Sequence, residues 1–402
     1  MIIREKYLSK IRPFYEQDLI KVIIGMRRCG KSILLQQIIA ELKERNISET
    51  QIIYMNFELE DYSFIKNDQD LNTYIIKKIT NKEKYYLFFD EIQEIKNWEK
   101  AINSLKASKN VSIFITGSNS DLLSGELATH LAGRYVSFTV YPFTLQEVCK
   151  LKQVTEKAQI EEIFQDYILW GGLPQRFMLT DEYQIRTYLF DIYNSIVVKD
   201  VIARFNIKEL DLFNRIVEYI VTTPSQNFSA DSLSNYFLNK DNREVSKATL
   251  YNYLEYMSKA MIINKADRYD VRGKRILNGK YKYYLTDLGI GQVKNSGKRL
   301  QIGAYLENIV YNELIFRGYD VKIGSFMDRE IDFIATRNKE KIYIQVAYLL
   351  ADESVIEREF GAYKGIEDNY PKYVLSMDKF DFSQEGIIHK NIIDWLMEEE
   401  KE

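Results

Sequence analysis

The sequence predicts an α/β fold built on a parallel sheet, because apolar strands alternate with helices along the first half of the chain. Five mostly apolar segments are expected to be strands, at 18–25, 51–57, 84–91, 111–120 and 134–143. Apolar residues at helical spacing separate them at 31–46, 71–80 and 97–108. Strands without polar alternation are typical of parallel sheets covered by helices on both faces. Ligands bind such sheets at the carboxyl ends of the strands.

Length and composition indicate a globular protein of several domains. A chain of 402 residues exceeds one ordinary core, and 46% hydrophobic with 28% charged residues is typical of globular proteins. No apolar run approaches the roughly 18 residues that span a bilayer. Because the N-terminal residues carry charges throughout, we expect no secretory signal there. With only Cys29 and Cys149 as cysteines, we expect a cytoplasmic protein without a disulfide framework. The net charge of −3 does not favour nucleic-acid binding by the chain as a whole.

Residues 25–32, GMRRCGKS, match the phosphate-loop pattern G-x-x-x-x-G-K-[ST], with a strand before and a helix after. The two glycines permit a tight loop whose backbone N–H groups point at phosphates, and the helix adds its positive dipole end. The fold class is therefore a P-loop NTPase with a parallel sheet. The predicted ATP-binding residues are Gly25, Met26, Arg27, Arg28, Cys29, Gly30, Lys31, Ser32 and Ile33.

Within this loop, Lys31 is expected to reach the β- and γ-phosphates and to act in catalysis. Arg27 and Arg28 could contact phosphate or pair with nearby carboxylates, and both alternatives stay open. Cys29 has basic neighbours that favour a reactive thiol, but a small residue that fits the loop is the preferred interpretation.

Asp90 and Glu91 end the strand YYLFF and predict the hydrolytic half of the site. Ser32 and Asp90 are the expected Mg²⁺ ligands, and Glu91 is the expected catalytic residue that polarises the attacking water. Ser118 or Asn119, after the strand IFITG, could contact that water or the γ-phosphate, and Asn119 is the preferred candidate. The alternative is that Gly-Ser-Asn-Ser is only a turn. Arg134 could neutralise charge on the phosphoryl group, in cis or from another subunit, or form a surface ion pair.

The order of motifs resembles one family. GMRRCGKS, FFDEIQ, TGSNS and LAGRY are followed by YPFTLQEV, ILWGGLP, AYLENIVYNEL and IYIQVAY. Together they resemble the prokaryotic AAA-like ATPases with a C-terminal domain of unknown function. The resemblance implies an ATP-binding core over 1–150, a helical lid over 151–207 and a winged helix over 208–297. It also implies that Gly172 and Pro174, in a Gly-x-Pro segment, contact the adenine side of the nucleotide.

The segment 208–297 independently predicts a winged helix, a DNA-binding architecture of three helices and a hairpin. Ser229 and Ser246 are expected to cap the second and third helices. The third helix offers few arginines, so docking to protein competes with DNA contact. A basic wing supports phosphate contact, with Arg268, Arg272, Lys274, Arg275, Lys280 and Lys282.

The segment 298–402 predicts an α/β nuclease-like domain that has lost its chemistry. Glu307 and Asp332 match the carboxylates of a metal-dependent nuclease. Gln345 and Ala347 stand where such an enzyme would carry Glu and Lys, and both are poor replacements. Arg358, Glu359, Asp368 and Lys372 are expected to form a polar network of unassigned role.

The sequence therefore predicts an ATP-binding protein that hydrolyses ATP slowly with Mg²⁺ and acts as a nucleotide-controlled switch on DNA or a protein partner. Two alternatives stay open: a DNA-binding regulator with structural ATP, and an ATP-controlled nuclease. The sequence leaves the oligomeric state undecided.

Overall fold

A computed structural model describes residues 2–123, 131, 133–294 and 301–399. The chain packs as two compact units. The first is Met1–Pro142 with Lys259–Met261, and the second is Phe143–Ser258 with Ile262–Glu402.

The first unit contains a five-stranded parallel sheet with strand order β2-β3-β4-β1-β5. Its strands are β1 (Ile20–Gly25), β2 (Ile52–Asn56), β3 (Tyr85–Asp90), β4 (Val111–Gly117) and β5 (Tyr135–Val140). Its helices are α1 (Glu5–Ile11), α2 (Lys31–Glu44), α3 (Asp68–Lys78) and α4 (Trp98–Ser108).

The predicted parallel sheet is confirmed, with each strand within three residues of its expected bounds. Every residue of β1, β3 and β4 is buried, which explains why these segments show no polar alternation. The sheet brings the ends of β1, β3 and β4 to one edge, because β4 lies between the other two. Helix α1, at the start of the chain, was not predicted.

The second unit begins with helices. They are α5 (Leu145–Lys152), α6 (Lys157–Trp170) and α7 (Glu182–Ser195), which continues into a π-helical segment, Ile196–Ala203. Three further helices follow, α8 (Leu210–Thr222), α9 (Ala230–Asp241) and α10 (Lys247–Lys259). Ser229 accepts a hydrogen bond from the Ser232 N–H and Ser246 from the Thr249 N–H, so both predicted caps are confirmed.

The second unit also contains an eight-stranded sheet in the order β13-β12-β11-β10-β9-β7-β8-β6. The strands nearest α8–α10 in sequence are β6 (Asn227–Phe228), β7 (Ile263–Asp270) and β8 (Arg275–Leu285). The C-terminal strands are β9 (Asp320–Phe326), β10 (Arg329–Arg337), β11 (Glu340–Val346), β12 (Lys372–Ser376) and β13 (Ile388–Asn391). The remaining helices are α11 (Leu288–Gln292), α12 (Ile302–Phe316), α13 (Glu353–Gly361) and α14 (Ile392–Met397).

This sheet is continuous across the predicted boundary between residues 297 and 298. Strand β7 pairs antiparallel with β8 on one side and parallel with β9 on the other. The β7–β8 hairpin therefore belongs to the same sheet as the C-terminal strands, an arrangement that the sequence did not predict.

Candidate nucleotide site

The phosphate loop connects β1 to α2 and depends on its two glycines. A Cβ on Gly25 would lie 2.4 Å from the Val140 carbonyl oxygen and 2.7 Å from Cys29 Sγ, so a larger residue does not fit. Gly30 precedes α2 with φ of 104°, a left-handed conformation that favours glycine. The first turn of α2 therefore begins directly after a tight loop, as anion binding requires.

Lys31 lies inside this loop with only 4% of its surface exposed. Its Nζ donates hydrogen bonds to the carbonyl oxygens of Gly25 at 3.0 Å and Met26 at 3.3 Å. It also lies 3.3 Å from Glu91 Oε1. Burial by itself lowers the pKa of Lys31, but the Glu91 carboxylate reverses the effect and raises it. The loop thus holds a buried ammonium that stays charged.

Asp90 and Glu91 are positioned by side chains of β4 and β2. Asp90 is fully buried, and its oxygens accept hydrogen bonds from the Thr116 hydroxyl at 2.5 Å and the Tyr54 hydroxyl at 2.8 Å. Glu91 has a φ of 54°, and its N–H donates to Thr116 Oγ1 at 2.9 Å. This left-handed turn, uncommon for a glutamate, follows directly from the end of β3.

The Glu91 carboxylate has polar partners on both oxygens. Oε1 faces Lys31, and Oε2 accepts from Gln93 Nε2 at 2.5 Å and from the Ser118 N–H at 3.2 Å. Burial raises the pKa of Glu91, but Lys31 and Gln93 outweigh that effect and lower it. Glu91 is therefore ionised at neutral pH.

Ser118 and Asn119 follow β4 and are buried, with 1% and 0% of their surfaces exposed. The Ser118 hydroxyl oxygen has no hydrogen-bond partner among the described residues. A buried hydroxyl without a partner is costly and indicates a place where a ligand or water supplies the missing bond. Because both residues directly follow β4, Asn119 lies at the same edge of the sheet as Gly25 and Asp90, the last residues of β1 and β3.

The other loop residues have distinct environments. Arg27 forms an ion pair with Glu58 at 2.8 Å, and Arg28 is exposed with φ of 66°. Cys29 is buried, and this burial raises the pKa of its thiol, which opposes the reactive alternative. Ile33, in the first turn of α2, is 41% exposed.

Arg134 lies where β1 and β5 begin, at the end of the strands opposite to the phosphate loop. Its carbonyl accepts from the N–H of Ile20, the first residue of β1, whereas the loop follows the last residue. Its exposed guanidinium lies 3.4 Å from Asn103 Oδ1. This placement disfavours the alternative in which Arg134 acts in cis. A contribution from another subunit stays a prediction, which light scattering with and without ATP tests.

Gly172 and Pro174 belong to the second unit, where close backbone packing accounts for the glycine. A Cβ on Gly172 would lie 2.1 Å from the Phe143 carbonyl oxygen. The Gly172 N–H donates to Asp287 Oδ2 at 2.6 Å. Burial raises the pKa of Asp287 to about 6, with the Gly172 hydrogen bond opposing it. The segment has a clear structural role, and contact with adenine stays a prediction.

Sequence reasoning missed four residues that position this site. Thr116, Tyr54 and Gln93 hydrogen-bond Asp90 or Glu91. Arg4 donates to the loop carbonyl of Cys29 at 3.2 Å and to the Tyr141 carbonyl at 2.9 Å. Thr116 stands on the strand between the loop and the acids, but a single threonine inside an apolar strand carries no sequence pattern. The N-terminal segment carried no signal for Arg4.

The predicted nuclease-like residues line a separate cleft of 1180 Å³ in the second unit, which includes Glu307, Asp332 and Gln345. Gln345 Oε1 accepts from the Asp332 N–H at 2.6 Å, and its Nε2 donates to Glu359 at 2.9 Å. Among the described residues, no three His, Cys, Asp or Glu side chains are placed to hold a metal ion.

The polar network expected from Arg358, Glu359, Asp368 and Lys372 forms as two separate groups. Arg358 pairs with Glu359 at 2.7 Å, and Lys372 pairs with Asp368 at 3.3 Å.

Comparison with known proteins assigns the family. Residues 17–149 match the model of an AAA domain, and 161–297 match a domain of unknown function, DUF8612. An uncharacterized protein of Haemophilus influenzae is 35% identical over 401 residues, covering 99% of each chain. An uncharacterized protein of Methanocaldococcus jannaschii is 34% identical over 367 residues, covering 87% of this chain and 79% of its own. The chain belongs to the same family as these two proteins.

The AAA domain of this family member holds the complete phosphate loop with Asp90, Glu91 and Asn119. The domain of unknown function, 161–297, covers all but the first ten residues of the segment 151–297 predicted as lid and winged helix. Among the described residues, no helix has both the length and the apolar character that crossing a membrane requires.

Two solved structures align with most of this chain. The Walker-type ATPase of Pyrococcus abyssi covers 73% of this chain and 96% of its own, at 17% identity and a TM-score of 0.44. The Aeropyrum pernix ORC1 protein, solved in complex with DNA, covers 74% and 93%, at 11% identity and a TM-score of 0.34. Similarities this weak carry no argument about function.

Proposed function

We propose that the AAA domain binds ATP with Mg²⁺ and hydrolyses it, and that the nucleotide state controls the second unit. One observation carries the proposal: the buried ion pair between Lys31 of the loop and Glu91 at the end of β3. It joins a phosphate-binding cation to a candidate base within a single site.

ATP fits the residues of this site. Backbone N–H groups of the loop and the first turn of α2 bind phosphate oxygens, and Lys31 supplies a positive charge. Lys31 now donates to two loop carbonyls. Phosphate oxygens are stronger acceptors for an ammonium because the hydrogen bond is charge-assisted. The buried, unpartnered hydroxyl of Ser118 is a further donor in the same region.

The proposal of hydrolysis rests on the protonation state of Glu91. Its pKa is lowered, so at neutral pH it is a carboxylate that can accept a proton from an attacking water. Asn119 is proposed to orient that water or the γ-phosphate. Mg²⁺, held by the Ser32 hydroxyl and the Asp90 carboxylate, would supply charge neutralisation at the phosphate oxygens. Thr116 and Tyr54 fix the Asp90 oxygens, each of which retains a lone pair for a metal.

The binding step is tested by calorimetry with Mg·ATP on the wild type and on Lys31→Ala. Removing the buried ammonium should weaken ATP binding by about 10- to 100-fold, the value of one or two charge-assisted hydrogen bonds. Lys43→Ala is the matched control, because Lys43 lies on the same helix, 47% exposed, and pairs only on the surface with Glu49. Unchanged ATP affinity in Lys31→Ala contradicts the proposed site.

The output of the switch is proposed to be contact with DNA or with a protein partner, through α8–α10 and the β7–β8 hairpin taken as a winged helix. The hairpin tip favours DNA phosphates, since Arg272, Lys274 and Arg275 are exposed. Two residues of the predicted basic wing are unavailable, because Arg268 pairs with Glu330 and Lys282 with Glu307 and Glu330. On the third helix, Tyr253 is buried against Phe213 and cannot reach a groove.

The alternative of an ATP-controlled nuclease is disfavoured by the side chains of β11 and its end. Gln345 binds Asp332 and Glu359 rather than presenting a carboxylate, and Ala347 is buried. Cytoplasmic localisation stays a prediction from composition.

A further inference from the structure

Lys282 lies among three carboxylates in the second unit. Its Nζ is 2.8 Å from Glu330 Oε1, 2.9 Å from Glu307 Oε1 and 3.8 Å from Asp332 Oδ1. The four residues come from three elements: Lys282 from β8, Glu330 and Asp332 from β10, and Glu307 from α12. The cluster therefore depends on the tertiary fold and on the continuity of the eight-stranded sheet.

Other contacts fix each carboxylate in place. The Tyr284 hydroxyl donates to Glu307 Oε1 at 2.6 Å, and the Val346 N–H donates to Asp332 Oδ2 at 2.8 Å. Glu330 Oε2 accepts from Arg268 and, at 3.3 Å, from Asn227. Each carboxylate is thus held by a group outside the cluster, as second-sphere partners hold the ligands of a metal ion. In Glu330 and Asp332 the held oxygen is the one that does not face Lys282.

The charges and burial of the cluster demand a cation at its centre. The Lys282 side chain is 6% exposed, Glu307 14% and Asp332 15%. Burial raises the pKa of Glu307 and that of Asp332, and the Lys282 ammonium opposes both shifts. Without Lys282, the buried Glu307 and Asp332 and the 30% exposed Glu330 would face one another with Arg268 as the remaining basic partner described for them. Uncompensated buried charge of this kind is strongly unfavourable.

We propose that this cluster is a cation site whose resident cation is the Lys282 ammonium, and that Lys282 excludes divalent metal from it. As they stand around the ammonium, the three carboxylates are not placed to hold a metal ion. The Nζ lies within hydrogen-bond distance of one oxygen each of Glu307 and Glu330, so a metal could gather these carboxylates only after the ammonium is removed. Mg²⁺ requires oxygens at about 2.1 Å in octahedral geometry, so it cannot enter while Lys282 remains.

This inference goes beyond the proposed ATPase activity and gives the C-terminal sheet a second block to metal-dependent cleavage. Gln345 and Ala347 stand where a nuclease would carry a Glu ligand and a Lys. Lys282 in addition fills the position between Glu307, Glu330 and Asp332. Because Lys282 belongs to β8, its ammonium also ties the β7–β8 hairpin to β10 and α12. Restoring Gln345→Glu and Ala347→Lys should therefore leave the metal site closed as long as Lys282 is present.

The test is Mn²⁺ binding to the full chain after removal of bound metal by chelation, measured from the free-ion EPR signal without nucleotide. Four proteins are compared: wild type, Asp332→Asn, Lys282→Met and the double variant Lys282→Met/Asp332→Asn. Met keeps much of the length of Lys without its charge. ATP affinity of each variant, measured in parallel, reports whether the AAA domain is intact. A wrong proposal about the Lys282 cluster can therefore be distinguished from a wrong proposal about the ATPase.

We expect wild type and Asp332→Asn to bind Mn²⁺ alike. Lys282→Met should gain one further Mn²⁺ site per chain. The double variant should lack this site or bind Mn²⁺ there at least tenfold more weakly. Mn²⁺ should also raise the unfolding temperature of Lys282→Met but not of the double variant, since a ligand of the folded state stabilises it.

Two results would overturn the proposal. One is a wild-type Mn²⁺ site that Asp332→Asn removes. The other is a Lys282→Met protein without an added site. If Lys282→Met does not fold, Lys282→Gln is measured with the same partners. Failure of both variants to fold in the presence of millimolar Mn²⁺ also counts against a site that accepts a metal in place of Lys282.

Discussion

Thr116 joins the two acids at the end of β3 to the neighbouring strand β4. Its hydroxyl donates to Asp90 Oδ1 at 2.5 Å and accepts from the Glu91 N–H at 2.9 Å. One side chain therefore fixes both the proposed metal ligand and the left-handed turn that places the proposed base. The loop and the acids could be predicted because each carries a recognisable residue pattern. A single threonine inside an apolar strand carries none.

The change Thr116→Val removes the hydroxyl at nearly constant volume. A buried N–H and a buried carboxylate oxygen lose a partner, which should cost about 1–3 kcal/mol of stability. Displacement of Glu91 should lower ATP turnover by about tenfold or more, with a smaller change in ATP affinity. Phosphate release and calorimetry measure the two effects.

Thr116→Ser is the matched control, because it keeps the hydroxyl and should retain turnover close to that of the wild type. Wild-type turnover in Thr116→Val would show that Thr116 does not position the acids.

The β7–β8 hairpin shows at the element scale what the sequence could and could not predict. Its two strands and basic character were predicted from two strand-like segments on either side of a Gly-containing basic loop. Its pairing with β9 could not be predicted, because parallel pairing of distant strands leaves no local pattern. Lys282 and Arg268 were therefore assigned to phosphate contact, whereas the structure places both beside carboxylates. A sequence shows which residues are charged, but it does not show which residues they pair with in the fold.

The exposed tip of this hairpin gives a prediction about DNA. If Arg272, Lys274 and Arg275 contact phosphates, replacing all three by Ala should weaken binding and reduce the salt slope of the affinity by about 2–3. Fluorescence anisotropy with a short duplex at several salt concentrations measures both quantities.

A control variant replaces Lys77, Lys78 and Lys82, three exposed lysines of the first unit, and should leave the salt slope unchanged. An equal loss of affinity in both triple variants would indicate a general charge effect and contradict a docking role for the hairpin tip.

At the scale of the molecule, the two units differ in how far the sequence determines them. The first unit was predicted closely, because a parallel sheet of apolar strands with short connections has few alternatives. The second unit combines segments predicted as separate domains in one sheet of eight strands. Its architecture depends on long-range pairing, so its elements were predicted but their assembly was not.

The central claim is that Glu91 makes the phosphate site an ATPase. The most direct measurement is Mg²⁺-dependent phosphate release by the wild type and by Glu91→Gln. ATP affinity is determined on the same preparations. Glu44→Gln, from the exposed side of α2, is the control. Loss of the carboxylate should lower turnover by about 10²–10⁴-fold, while ATP binding is retained and the control keeps wild-type turnover. Turnover in Glu91→Gln equal to that of the wild type, or a wild type that binds ATP and releases no phosphate, would contradict the claim.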